Sequence, residues 1–166
     1  QSAAVLDLRM SCLHRRRQAL EAVVDVLAHA DASVVEQAIP LAAGLPPLAA
    51  CADVEALRAE LPPPEDPALA TAVEAARREL ARAEALGDVG KHAEALAIVD
   101  AIPEPPRVHE PLRAELELRR GLLLLDLKRY DQAQTTLEDA AHRALRVDHR
   151  RAAIQALSAL GFTVGV

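Results

Sequence analysis

Residues 86–102, LGDVGKHAEALAIVDAI, are repeated in outline by residues 124–140, LLDLKRYDQAQTTLEDA. Lys91-His92 falls on Arg129-Tyr130, Ala95 on Ala133, Val99 on Leu137 and Ile102 on Ala140, at a constant offset of 38 residues. Self-similarity at one spacing marks a stack of equivalent supersecondary units, each too small to bury its apolar face alone. In both copies an apolar helical pattern runs into a turn containing Gly or Lys, and a second helical pattern begins. Two antiparallel helices that cross closely need small side chains at the crossing. Ala83 and Gly121 hold that place on the first helices, and Ala95 and Ala133 hold it on the second. Tyr130 is expected to wedge between the helices of its own unit, and His92 stands in the same place one copy earlier.

This arrangement resembles the tetratricopeptide repeat: a helix, a turn, an aromatic residue, then A-x-x-x-apolar-x-x-small. The chain departs from that pattern in its spacing, which exceeds the usual ~34 residues. The surplus is the proline-rich segment 102–111, IPEPPRVHEP. His92 also replaces the usual aromatic, and the large residue early in the first helix is weak. The resemblance implies antiparallel helical hairpins stacked in a right-handed solenoid, with a concave groove lined by the first helices. It directs Arg77, Leu80, Glu84 and Asp88 of the first unit, and Glu115, Leu118, Leu122 and Asp126 of the second, toward a protein or peptide partner. The segment 121–127, GLLLLDL, is apolar almost all round. Either the N-terminal hairpin covers its spare side, or an apolar peptide or helix docks there.

Outward from the repeats, every segment is helical or a connector, and no stretch alternates with period two, so the chain reads as all-α. Residues 3–30 form one long helix whose packing stripe is Leu6, Met10, Leu13, Leu20, Val24 and Leu27, with Arg17 in its one gap. Ser33-Val34-Val35-Glu36 has the spacing of a capping box, placing a second helix from about Val34 to Ala43. Gly44 and Pro46-Pro47 end it. A short helix follows over 53–61. Residues 62–67, PPPEDP, forbid helix, and Asp66-Pro67 supplies a cap and a first-turn proline for the next one. The resulting organisation is an N-terminal helical hairpin region at 1–61, a proline-rich linker at 62–67, and two repeats plus a terminal helix at 68–166. The terminal helix, from about Arg150 to Leu160, is read as half of a third unit or as a cap.

Composition narrows the function. The chain is 51% hydrophobic, but Tyr130 and Phe162 are its only aromatic residues. The core is therefore built of Leu, Val, Ile and Ala, which suits close helix contacts better than an aromatic-lined pocket. A net charge of −6 and the lack of stacking aromatics argue against nucleic acid as a partner. No apolar run approaches the ~20 residues of a membrane span, so direct membrane insertion by this chain is not expected. The N-terminus lacks the layout of a signal peptide. The chain opens without methionine and stops at LGFTVGV, as a segment of a longer protein would. Phosphate-loop, dinucleotide and kinase signatures are absent, and the six histidines supply no metal-ligand spacing. No cofactor, metal or catalytic residue is assigned, the chain is not expected to be an enzyme, and no oligomeric state is assigned.

Cys12 and Cys51 stand apart. Arg15, Arg16 and Arg17 make Cys12 a candidate reactive thiol. If the second helix runs back along the first, however, extended residues 44–51 bring Cys51 level with Cys12. A bridge there closes a loop of about 40 residues, worth roughly 3–4 kcal/mol in the chain-entropy model. A Cys12–Cys51 disulfide, two buried thiols and a redox-active cysteine all remain open. The arginines span most of the helix circumference and are read as flanking the apolar stripe, with heads reaching Glu21 and Asp25.

QSAAVLDLRMSCLHRRRQAL at 1–20, GLPPLAACADVEAL at 44–57, PPPEDP and the repeats together resemble the C-terminal portion of large bacterial serine/threonine protein kinases of the myxobacterial type. In that family a kinase domain precedes a linker, often a membrane span, and a tetratricopeptide-bearing region. No kinase catalytic motif maps onto this chain. The resemblance implies an accessory interaction or regulatory region of a kinase; the alternative is an extracytoplasmic ligand- or redox-sensing domain. It implies a membrane-associated parent, with this region on either side of the membrane.

Overall fold

The computed structural model describes residues 3–58, 61–103, 105 and 109–163, all of whose regular structure is helical. In chain order the elements are α1 (Ala3–Ala28), α2 (Ala32–Glu36), α3 (Ala38–Ala43), a 3-10 helix (Leu48–Ala52), α4 (Val54–Arg58), α5 (Pro67–Asp88), α6 (His92–Ala101), α7 (Glu110–Asp126), α8 (Tyr130–Arg146) and α9 (Arg150–Thr163).

Three of the connections are the same turn. Val89–Lys91, Leu127–Arg129 and Val147–His149 each join two helices with three residues. The middle residue of each is left-handed: Gly90 at φ 83°, Lys128 at 59° and Asp148 at 54°. In each, the residue after it donates its N–H back five positions: Lys91 to Leu86, Arg129 to Leu124 and His149 to Ala144, at 2.8–2.9 Å. This is a Schellman ending, which satisfies the last carbonyls of one helix and reverses the chain into the next. Short reversals make sequential helices antiparallel neighbours. α5 packs on α6, α6 on α7, α7 on α8 and α8 on α9, while α5 and α9 both also touch α7.

Small residues stand at the crossings. Ala83, Ala95 and Ala133 are fully buried. A Cβ on Gly121 would lie 2.6 Å from Leu137 Cγ, so only glycine lets α7 and α8 approach as they do. Tyr130 departs from expectation. It starts α8 with 39% of its surface exposed and does not wedge between the helices, because Ala133 and Leu137, one and two turns on, already fill that space. The leucines of 121–127 are consumed by neither of the anticipated partners. α7 is the central helix, and α5, α6, α8 and α9 surround it. Leu118 and Leu122 pack toward α8 and α9, Leu123 and Leu124 toward α5 and α6.

The N-terminal region differs more from its expected form. α1 buries Cys12, Gln18, Ala22, Val23 and Val26. The stripe read as its packing face is outside: Leu6, Met10, Leu13, Leu20 and Val24 are each 41–56% exposed. The face that α1 turns to α5, α4 and the 3-10 helix is the opposite one, carrying Cys12, Gln18, Ala22, Val23 and Val26. The cap of α2 is Asp31, not Ser33. Its carboxylate accepts Val34 N–H at 3.1 Å and the Ser33 hydroxyl at 2.6 Å. The second helix is broken at Gln37, since Pro40 has no N–H to offer the Glu36 carbonyl. Residues 48–52 are 3-10 helix and not extended.

Asp66 caps α5 by accepting Ala68 N–H at 2.9 Å, with Pro67 opening the helix. The linker does not separate two cores. Val23, Val26, Val34 and Leu41 share one cluster with Ala85 and Val89 of the α5 end.

Candidate interaction surface

The charged residues expected to face a partner are mostly committed to one another. Arg77 on α5 donates from Nη2 and Nε to the two carboxylate oxygens of Glu115 on α7, at 2.8 and 3.0 Å. His149, from the α8–α9 turn, reaches the same carboxylate at 3.2 Å. Burial pushes the Glu115 carboxyl up, but the hydrogen bonds from His149 and Arg77 outweigh it and hold it at about 2. Glu84 is likewise paired with Arg119 of α7 at 2.6 Å. Arg77, Glu84 and Glu115 therefore join α5 to α7 and are structural; they are not free recognition groups.

α7 is keyed to its other neighbours in the same way. Arg120 meets Asp100 of α6 at 2.7 Å. Arg143 of α8 spans Glu117 at 2.8 Å and Glu110 at 2.9 Å. Its guanidinium hydrogen bond holds Glu110 below the usual carboxylate range, whereas burial leaves Glu117 above it despite the same partner. Ion pairs between partly buried groups fix the register of helices whose apolar contacts, mostly Ala and Leu, would tolerate sliding.

Leu80, Leu118 and Leu122 also lie in the fold, with Leu118 buried and the other two partly so. Two of the eight groove positions stay open. Asp88 ends α5 and Asp126 ends α7, both exposed. Desolvation by its neighbours and the charge of Glu84 raise the Asp88 carboxyl, with Arg119 opposing and Asp126 adding. His92, opening α6, lies 3.4 Å from Asp126. The structure thus gathers Asp88, His92 and Asp126 at one end of the α5–α7 pair.

Among the described residues, two rows of apolar side chains are uncovered on the longer helices, besides Val35, Ile39 and Leu48 on the short ones. One is the stripe on α1. The other lies on α9, where Ala152, Ala153, Ala156 and Ala159 face inward while Ile154, Leu157 and Phe162 are 51–79% exposed. A shallow cleft between α6 and α8 is floored by Leu96 and Leu124 and rimmed by Asp100, Arg120, Arg129 and Asp131. No group of three or more His, Cys, Asp or Glu among the described residues is placed to hold a metal ion. None of the helices described is long and apolar enough to cross a membrane.

Cys12 and Cys51 are joined, Cα to Cα 5.6 Å apart, and both are buried with Leu57. Beside them Glu74 of α5 receives Gln18 Nε2 at 3.2 Å and lies 3.3 Å from His14 Nε2 of α1. Lys91 meets Asp31 at 2.8 Å, tying the α1–α2 turn to the α5–α6 turn. Gln18 and Glu74 gave no signal in the sequence, since a buried glutamine in an apolar helix breaks no pattern by itself. Of the arginine run, Arg17 pairs with Glu21 at 3.5 Å, but Asp25 is taken by Arg82 and His29. Compared with protein-family models, with curated proteins and with solved structures, the chain matches none of them.

Proposed function

We propose that the chain is a non-catalytic protein–protein interaction module, built of tetratricopeptide-like hairpins and serving as a regulatory accessory region of a bacterial Ser/Thr protein kinase. The observation that carries this reading is the repeated unit. Equivalent Schellman turns end α5 and α7, small residues lie at equivalent crossings, and both α5 and α9 lean on α7. Stacked first helices present a continuous surface, the usual means by which such repeats hold an extended partner. The recognition groups on that surface are Asp88 and Asp126, since Arg77, Glu84 and Glu115 are spent on the fold. Two exposed carboxylates at the ends of α5 and α7 favour a basic segment in the partner.

The test is binding of the chain to its parent's kinase domain and to proteins retained from native lysate, wild type against Asp88→Lys/Asp126→Lys. Both side chains are exposed, so the variant should melt normally and lose the partner. Equal retention by the two proteins would refute the groove assignment. The buried Cys12–Cys51 bridge favours a second reading, an extracytoplasmic sensing domain of such a kinase, because a disulfide persists in oxidising compartments.

A further inference from the structure

α9 holds the place in the fold that α7 holds one unit earlier. It packs on α8 and α7 as α7 packs on α6 and α5. α7 starts at Glu110 and α9 at Arg150, so the two helices align at an offset of 40 residues. On α7, Leu112 and Leu116 turn to the preceding unit; on α9 their counterparts Ala152 and Ala156 do the same. The next face round α7 is the one that α8 covers. Ala114 is buried there, Glu117 receives Arg143, and Gly121 leaves room for Leu137. The counterparts on α9 are Ile154, Leu157 and Gly161. The first two are 65% and 51% exposed, and a Cβ on Gly161 would meet nothing within 4 Å.

That face is not built for water. From Ala152 to Thr163 the helix carries no charged residue. Gly161 is helical and not left-handed, so it supplies no cap, and glycine weakens a helix unless another backbone or side chain must come close. At Gly121 the close crossing of α8 offsets that loss; at Gly161 the clearance is present and the crossing helix is not.

We infer that this face of α9 docks one amphipathic helix of a partner protein, seated as α8 is seated on α7. α8 describes that helix: a small residue at the crossing, as at Ala133, a leucine four positions on to lie over the glycine, as at Leu137, and a small residue three further, as at Ala140. Charge completes the description. Where α7 offers Glu110 to Arg143, α9 offers Arg150, so the partner's residue six past its leucine is acidic. Asp148 meets Arg150 at 3.1 Å, but both side chains are about three-quarters exposed and such a pair is weak. Arg146 and Arg151, exposed on either side of the same turn, add positive charge. A second copy of this chain does not fit, because its α8 is committed to its own α7 and carries Arg143 at the acidic place. The inference does not rest on the groove, since Asp88 and Asp126 lie on α5 and α7.

The probe is a synthetic peptide of residues 129–146 carrying Arg143→Glu. It is held helical by a lactam between Gln134→Lys and Glu138, an exposed pair on α8. Its fluorescence anisotropy with the full chain should saturate with a Kd below about 100 µM. The same peptide with Arg143 kept should bind about fivefold more weakly, the swing of one partly exposed ion pair, and Arg150→Glu in the protein should reverse that preference. Gly161→Leu should leave the protein folded and abolish binding, because its side chain fills the space of the partner's leucine. Asp88→Lys/Asp126→Lys should bind as the wild type does. No saturation by about 1 mM, equal affinity for the two peptides, or binding that survives Gly161→Leu would each overturn the inference. So would loss of the peptide on Asp88→Lys/Asp126→Lys, which would put it in the groove. A dimer of the free chain that Gly161→Leu dissolves would assign the face to a second copy instead.

Discussion

The two parts of this chain, residues 3–58 and residues 67–163, are both helical, yet they are held by different means. In the second part the geometry repeats: three equivalent turns, small residues where helices cross, and a central α7 paired by charge with α5, α6 and α8. Each element there is placed by its sequence neighbours. In the first part a single long helix collects four short pieces that cannot stand alone, since helices of five or six residues are unstable in isolation. The Cys12–Cys51 bridge and the Asp31 cap hold them locally, and Val34 and Leu41 pack on the end of α5. The contrast teaches that equal helix content does not mean equal self-sufficiency: local repetition stabilises one part, and a staple stabilises the other.

The largest test of that contrast is to cut the staple. Cys12→Ala/Cys51→Ala should destabilise the first part by about 4 kcal/mol, the chain-entropy value for a bridge of sequence separation 39. Hydrogen exchange should show amides of Leu48–Arg58 losing protection while those of α7 and α8 keep it. Equal loss in both parts would mean one cooperative unit and end the distinction. The second part should fail at its crossings instead. Gly121→Ala drives a methyl into Leu137 and should cost about 2 kcal/mol in urea unfolding, a typical overpacking loss. Gly161→Ala is the control. Its Cβ meets nothing, so helix propensity alone should stabilise the chain by up to ~1 kcal/mol.

What could be read from sequence divides along the same line. The all-helical class and the two helix–turn–helix units were legible because an A-x-x-x-apolar spacing and a turn recur, and a recurring signal is checked by its own copy. The side chosen for α1 was misread, because Leu6, Leu13 and Leu20 fit a stripe facing outward as well as a buried one. Periodicity locates an apolar face without saying what covers it. The pairing of Arg77 with Glu115 was equally hidden. The residues are 38 positions apart, on helices whose side-by-side packing exists only once the hairpins stack. Seen in sequence, both charges belong on a groove; seen in the fold, each is the other's counter-ion.

Acid should separate the two parts again, by a smaller amount. α7 follows the proline-rich connection and lacks the Schellman turn that precedes α6, α8 and α9. It starts instead on His109, whose Nδ1 accepts Leu112 N–H at 3.2 Å. Accepting requires a neutral ring. Burial, and then the Arg77 charge, lower its pKa from the ordinary 6.5, with Glu115 opposing. A folded-state pKa below the unfolded one means the unfolded chain binds the proton first, so the stabilisation is complete above 6.5 and declines as pH falls below it. Asp31, Glu110 and Glu115 are also lowered, but from 3.8 or 4.5, and their contributions persist until pH drops under those values. Asp88 and Glu117 are raised and work the other way, favouring the fold as they protonate. His109→Asn isolates the cap, because asparagine accepts the same hydrogen bond at any pH. From pH 7 to 5.5 the wild type should lose up to ~1 kcal/mol relative to this variant, the usual worth of an N-cap. The loss should appear in the unfolding of α7, with the protection of residues 3–58 unchanged. Parallel pH profiles for the two proteins would show that His109 caps α7 without being titrated by it.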